Sequence, residues 1–129
     1  MVIKGVIHKK RGVEHEDERR AILVAFNGDL GDFKATQAKI YKIYQEKPLA
    51  GHYHKYSEVF YMLKGEAKFT LQDIETKESE TYILKDMEVL LVPKRVAHKV
   101  VVKKDSMMVG FSEEPFVSNE FNDQKYEFI

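Results

Sequence analysis

Nine short runs rich in Val, Ile, Tyr and Phe, each cut off by a turn signal, limit the folds open to this chain more than any other feature. They are Val2 to Ile7, Ala21 to Phe26, Ala38 to Tyr44, Glu58 to Lys64, Glu66 to Asp73, Glu80 to Leu84, Val89 to Pro93, Lys99 to Lys103 and Met107 to Phe111. Such residues suit a pleated, half-buried surface. The signals between them are Asn27-Gly28-Asp29 with Gly31-Asp32, Lys47-Pro48, Lys64-Gly65-Glu66, Glu75-Thr76-Lys77-Glu78 and Lys103-Lys104-Asp105-Ser106. A helical period is present only as a short stretch around Ser118 to Lys125. Many short, closely spaced strands predict an all-β chain, either a sandwich or a small barrel.

A chain of 129 residues can bury one genuine core and not two, so residues 1–129 read as a single domain. Twenty-one basic and twenty-one acidic residues cancel, so composition signals no basic face and nucleic acid is not an expected partner. The absence of cysteine excludes disulfides, thiolate metal sites and thiol nucleophiles. The opening Met1-Val2-Ile3-Lys4-Gly5-Val6-Ile7-His8 is too short and polar for a signal peptide, and no apolar run would span a membrane. The expected location is the cytoplasm.

Strand parity makes a demand of its own. If Glu58 points inward, so do Phe60 and Met62, and Val59, Tyr61 and Leu63 point outward. A strand apolar on both faces is covered on both. The N-terminal strands, the C-terminal segment or a second subunit could supply the cover. A homodimer is the expectation, because symmetric pairs dominate among oligomers.

The chemistry concentrates in Gly51-His52-Tyr53-His54-Lys55-Tyr56-Ser57-Glu58 and in Pro93-Lys94-Arg95-Val96-Ala97-His98. Histidines at i and i+2 project from one face of an extended chain. Glu58 can return to that face, and His98 arrives from a distant strand. Three imidazoles and a carboxylate converging inside a β-structure can hold one divalent metal ion, with positions left for water or substrate. The set suits zinc, iron, manganese and nickel alike. The alternative is a polar cluster in which the histidines bond each other and Glu58 without metal. His8 and His15 fit no ligand spacing and read as surface or turn residues.

His52-x-His54-x-x-x-Glu58, Gly65 and Pro93-x-x-x-x-His98 resemble the two motifs of the cupin superfamily. The resemblance implies a double-stranded β-helix, a barrel of the jelly-roll kind, with His52, His54, Glu58 and His98 at its four metal-ligand positions. The chain departs from the pattern twice: Met87-Glu88 stands for Gly-Asp, and Arg95 stands where a glycine is usual. Both are turn positions. Arg95, at the barrel rim, is a candidate contact for an anionic substrate.

The flanks, with Asp17-Glu18-Arg19-Arg20, Lys39-Ile40-Tyr41 and Asn122-x-x-Lys125-Tyr126, are similar to cupins of deoxysugar and capsular-polysaccharide biosynthesis, the nucleotide-sugar 3,4-ketoisomerases and the keto-sugar epimerases. That likeness implies substrate-binding roles for Arg19 and Lys39. Tyr41, on the face of Lys39 and Ile43, would line the pocket. It implies an isomerase or epimerase acting on a sugar or nucleotide sugar through carbonyl polarisation and enolisation. Those relatives use histidine rather than metal to move protons, whereas this chain keeps a full ligand set. If a metal occupies His52 and His54, another base is needed, and Tyr41 and Glu66 are the candidates. Two other readings stay open: a different metal-dependent cupin enzyme, such as a dioxygenase or phosphosugar isomerase, and a non-catalytic carbohydrate-binding cupin.

Overall fold

In the computed structural model, which describes residues 3–129, most of the expected runs become strands of two facing five-stranded sheets. In chain order the elements are β1 (Ile7–Lys10), β2 (His15–Asp17), β3 (Arg20–Ile22), β4 (Gln37–Lys42), β5 (Leu49–Tyr53), β6 (Glu58–Lys64), β7 (Glu66–Asp73), β8 (Ser79–Lys85), β9 (Glu88–Val92), β10 (Val96–Val102), β11 (Met107–Ser112), α1 (Asn119–Asn122) and β12 (Gln124–Lys125). One sheet runs β1-β9-β6-β11-β4 and the other β12-β5-β10-β7-β8, with β2 and β3 as a separate hairpin. From β4 onward the chain crosses between the two sheets at every connection except the β7–β8 hairpin, which is the jelly-roll winding expected above. Among the described residues no helix is long and apolar enough to cross a membrane.

The turn at Lys64-Gly65-Glu66 shows how sequence sets the winding. Gly65 has φ 114°, and a Cβ there would overlap the Ser106 side chain. Only glycine fits both demands. The two motif departures answer differently. Met87 (φ 66°) and Arg95 (φ 65°) adopt the left-handed backbone that glycine would adopt freely. The winding survives both, at a local cost.

The interior divides into two apolar layers. Between the sheets lie Phe60, Met62, Phe69, Leu71, Leu84, Leu90, Val102 and Met108. On the outer side of β6, Val59 and Tyr61 pack with Leu30, Val89 and Leu91, and with the partly buried Ala25, Phe33 and Phe111. Val59 and Tyr61 are covered as parity expects, whereas Leu63 stays 40% exposed. The chain's own segment 23–36 covers Val59 and Tyr61, so their burial requires no second subunit. That segment is latched to the sheet by Arg11, which donates to Asp29 Oδ2 (2.6 Å), Asp29 Oδ1 (2.9 Å) and the Ala25 carbonyl (2.9 Å).

Other departures have local causes. The run at Ala21 shortens to β3, because Leu23 to Phe26 leave the hairpin to become part of that cover. Val2 lies outside the described residues, and regular pairing at the N-terminus begins only at Ile7. Strand β10 begins three residues before the expected Lys99, which places His98 inside it. The expected helix is one turn, capped by Ser118 Oγ accepting from the Phe121 amide (3.1 Å).

Candidate active site

A bulge in β5 aims the first histidine. His52 stands opposite His98, but the next pair on β10 is Lys99 with Ala50, so Gly51 is an extra residue. Ala50 (φ 69°) and Gly51 (φ 88°) are both left-handed, which turns the strand locally. His54 follows at i+2, as the alternation requires, and its carbonyl accepts from the Arg95 amide (2.9 Å). Glu58 opens β6 and points between the sheets. The result is a group in which ligand atoms of His52, His54 and His98 all lie within 4.8 Å of one another. Glu58 Oε1 is 3.0 Å from His54 Nε2 and 3.4 Å from His98 Nε2.

The hydrogen bonding around His54 decides what this cluster needs. His54 Nδ1 lies 2.7 Å from the Asn122 carbonyl oxygen, which can only accept, so Nδ1 carries a proton. In a neutral ring the Nε2 lone pair would then point at the Glu58 carboxylate. Two such groups 3.0 Å apart repel unless a cation, either a proton or a metal ion, shares the space. Glu58 Oε1 is buried and meets no partner in hydrogen-bond geometry, and His98 Nδ1 is likewise buried without one. Two donors each about 2.1 Å from one ion stand ~3.0 Å apart at a right angle and ~3.4 Å apart at the tetrahedral angle. The residues present therefore fit a divalent metal.

Titration follows the same pattern. Burial opposes charge on His54, but the neighbouring Glu58 carboxylate outweighs it and the pKa is raised. Burial, then the charge of His54, lowers that of His52. Burial holds His98 down to about 4. For Glu58, burial works upward, but the imidazoles of His54 and His98 bring its pKa below the ordinary value.

The cluster forms one wall of a cavity of about 120 Å³, also lined by Lys39, Tyr41, Leu49, Phe60, Val100, Met108 and Asp123. It has room for a few waters or one small polar group. A second cavity of about 320 Å³ shares Ala50, His52 and Asp123 with it and is bounded outside by Asn119, Glu120 and Lys125. Tyr41 comes from β4 on the same face as Lys39, and Gly110 makes room for its ring: a Cβ there would lie 3.0 Å from Tyr41 Cε1. Burial, then the charges of Glu58 and Asp123, raises the Tyr41 pKa. Its hydroxyl therefore stays protonated, able to donate a hydrogen bond and poorly suited to the role of base. Lys39 Nζ sits 5.1 Å from the Phe116 ring centre.

Three sequence candidates lie elsewhere. Glu66 is five residues along β7 from Leu71, the partner of His98, or roughly 17 Å at strand rise. It pairs with Lys103 (3.4 Å) and does not line the cavity. Arg19 is in the exposed β2–β3 hairpin and pairs with Asp17 (3.1 Å). Arg95 is exposed and pairs with Glu75 (3.0 Å). Neither arginine lines the cavity. The residue that sequence reasoning missed is Asp123, whose carboxylate is 3.7 Å from His52 Nδ1 and 3.6 Å from His54 Nδ1. It comes from the C-terminal segment, where β12 pairs with β5 and no motif spacing marks it.

The family model of the cupin domain matches residues 45–112, a stretch that holds all four clustered side chains. No curated protein matches the sequence. Solved structures similar to this chain include the WlaRB TDP-quinovose 3,4-ketoisomerase from Campylobacter jejuni, with TM-score 0.82 and 16% identity over 95% of this chain and 94% of that one. The sugar 3,4-ketoisomerase QdtA from Thermoanaerobacterium thermosaccharolyticum, solved with TDP, has TM-score 0.77 and 16% identity over 95% and 88%. The dTDP-4-dehydrorhamnose 3,5-epimerase from Sulfolobus tokodaii has TM-score 0.79 and 17% identity over 93% and 76%. At such identities these likenesses establish a shared fold.

Proposed function

Because the chain belongs to the cupin domain family, we propose that its histidine cavity is the active site of a metal-binding isomerase or epimerase acting on a sugar or nucleotide sugar. The single observation that carries the metal is the 3.0 Å approach of His54 Nε2 to Glu58, with Nδ1 already committed to a carbonyl. His52, His54, Glu58 and His98 would hold a divalent ion, which would polarise a carbonyl or a vicinal hydroxyl pair on the substrate.

The remaining cavity residues divide the proton work. Tyr41, kept protonated by burial and by the charges of Glu58 and Asp123, would donate a hydrogen bond to the enolate oxygen as it forms. With the imidazoles committed as ligands, Asp123 is the carboxylate free to take the proton α to the carbonyl. Lys39 would hold the substrate's polar edge from the opposite wall. The ketoisomerases and epimerases of the same fold support the sugar assignment by their named substrates.

Metal analysis of the purified protein should find close to one divalent ion per chain and a large loss in His54→Ala. Keto-sugar substrates, presented free and as nucleotide diphosphates, should exchange a carbon-bound proton with solvent deuterium, and Tyr41→Phe should slow that exchange. Stoichiometric metal that persists in both His54→Ala and His98→Ala would refute the ligand assignment. Oxygen consumption by the iron-loaded protein would favour a dioxygenase instead.

A further inference from the structure

Asn122 is the only buried residue of α1, at 3% exposure, and all the hydrogen-bonding capacity of its side chain is used. Its Oδ1 accepts from the amides of Val117 (2.7 Å) and Ser118 (3.1 Å). Its Nδ2 donates to the Tyr56 hydroxyl (3.1 Å) and the Pro115 carbonyl (3.2 Å). Four bonds exhaust a carboxamide. The same residue presents the backbone carbonyl to which His54 Nδ1 donates. Tyr56 in turn stacks on the His54 ring, with centroids 4.8 Å apart and planes 13° from parallel. One side chain thus fixes both the carbonyl that bonds the imidazole and the aromatic ring that covers it.

We propose that Asn122 is a positioning residue for His54, locking the proton on Nδ1 so that Nε2 is presented to Glu58 and to the cavity. The proposal rests on the reading of His54 as a site residue, but not on which cation or sugar the site takes. A purely structural role would be closure of the loop from Pro115 to Asn122. Closure alone would not require the backbone carbonyl of the same residue to meet the imidazole, nor the amide to reach across to Tyr56.

Long-range nitrogen NMR of the His54 ring, in metal-free protein on the alkaline side of its titration, tests this directly. The native protein should show a single Nδ1-protonated tautomer. Asn122→Ala should show a mixture of tautomers, and its zinc affinity should fall roughly 10- to 100-fold, the usual consequence of losing an outer-shell partner. Asn122→Asp, which keeps the acceptor for Val117 and Ser118, should recover part of both. Tyr56→Phe removes one anchor of the amide while keeping the ring stack, and should shift the tautomer ratio less and in the same direction. It decides the matter if Asn122→Ala does not fold. A single Nδ1-protonated tautomer in folded Asn122→Ala, or in Tyr56→Phe where the alanine variant fails to fold, would overturn the proposal. The tautomer readout stands even if the protein takes up no metal and turns over no sugar, so the two hypotheses fail separately.

Discussion

The two halves of the barrel interior are built on the same strands and obey opposite rules. Along the inward face of β6 the side chains run from Glu58 through Phe60 to Met62, and along β10 from His98 through Val100 to Val102. One half is a cluster of titratable groups and the other is dry. In the dry half, burial is favourable at roughly 25 cal/mol per Å² of apolar surface. In the polar half every buried polar group must recover its lost hydration, and Glu58 Oε1 and His98 Nδ1 have not done so within the protein. The dry half holds the barrel shut so that the polar half can stay incompletely satisfied. Frustration of this kind is expected where a ligand completes the site.

The largest effect should come from breaking the dry half. Phe69 is 0% exposed and packs against Phe60, with centroids 4.9 Å apart and planes tilted by 49°. Phe69→Ala should cost about 3–5 kcal/mol in urea unfolding, the usual range for a buried phenylalanine. A cost below about 1 kcal/mol would mean that the dry half does not carry the fold.

The polar half should announce itself through pH. As pH falls through about 6.5, the unfolded chain protonates His98, whereas burial delays that step in the folded chain to about 4. Stability that His98 contributes at neutral pH is therefore lost between about 6.5 and 4, and returns as pH rises. His54 works in the opposite sense: its raised pKa contributes stability below its unfolded value, lost as pH climbs through the folded one. In metal-free protein, His98→Leu should flatten the acid limb of the stability profile by about 3 kcal/mol. An acid limb that keeps its full slope in His98→Leu would show that the titrating burden lies elsewhere.

Both halves were legible in the sequence to different degrees. Strands β6 and β7 carry their limits in the alternation and in Gly65, and the structure reproduces them. The convergence of His52, His54 and His98 followed from an i, i+2 spacing and one distant motif. Asp123 and Asn122 could not be read in this way, because their role depends on β12 returning to β5 across seventy residues of sequence. Glu66 lies away from the cavity for a related reason: parity gives the face a residue is on but not its depth along the barrel. The cover over Val59 and Tyr61 escaped because segment 23–36 has no regular period, being shaped by Arg11 and Asp29 rather than by a strand.

The smallest expected effect compares two turns on this frame. At Gly65 the backbone has φ 114° and no space for a Cβ, so glycine is obligatory. At Arg95 the backbone has φ 65°, the side chain is half exposed, and its one partner is Glu75, itself 66% exposed. An exposed pair of this kind contributes little, whereas a left-handed non-glycine residue costs roughly 1–2 kcal/mol against a smaller entropy penalty for glycine. Arg95→Gly should therefore stabilise the fold by up to about 1 kcal/mol, measured by thermal or urea unfolding. Because the Arg95 amide holds the His54 carbonyl at 2.9 Å, the substitution should leave the histidine cluster and its metal affinity unchanged. A loss of stability would mean that the Glu75 pair outweighs the backbone strain. A loss of metal affinity alone would mean that the strained turn itself sets His54.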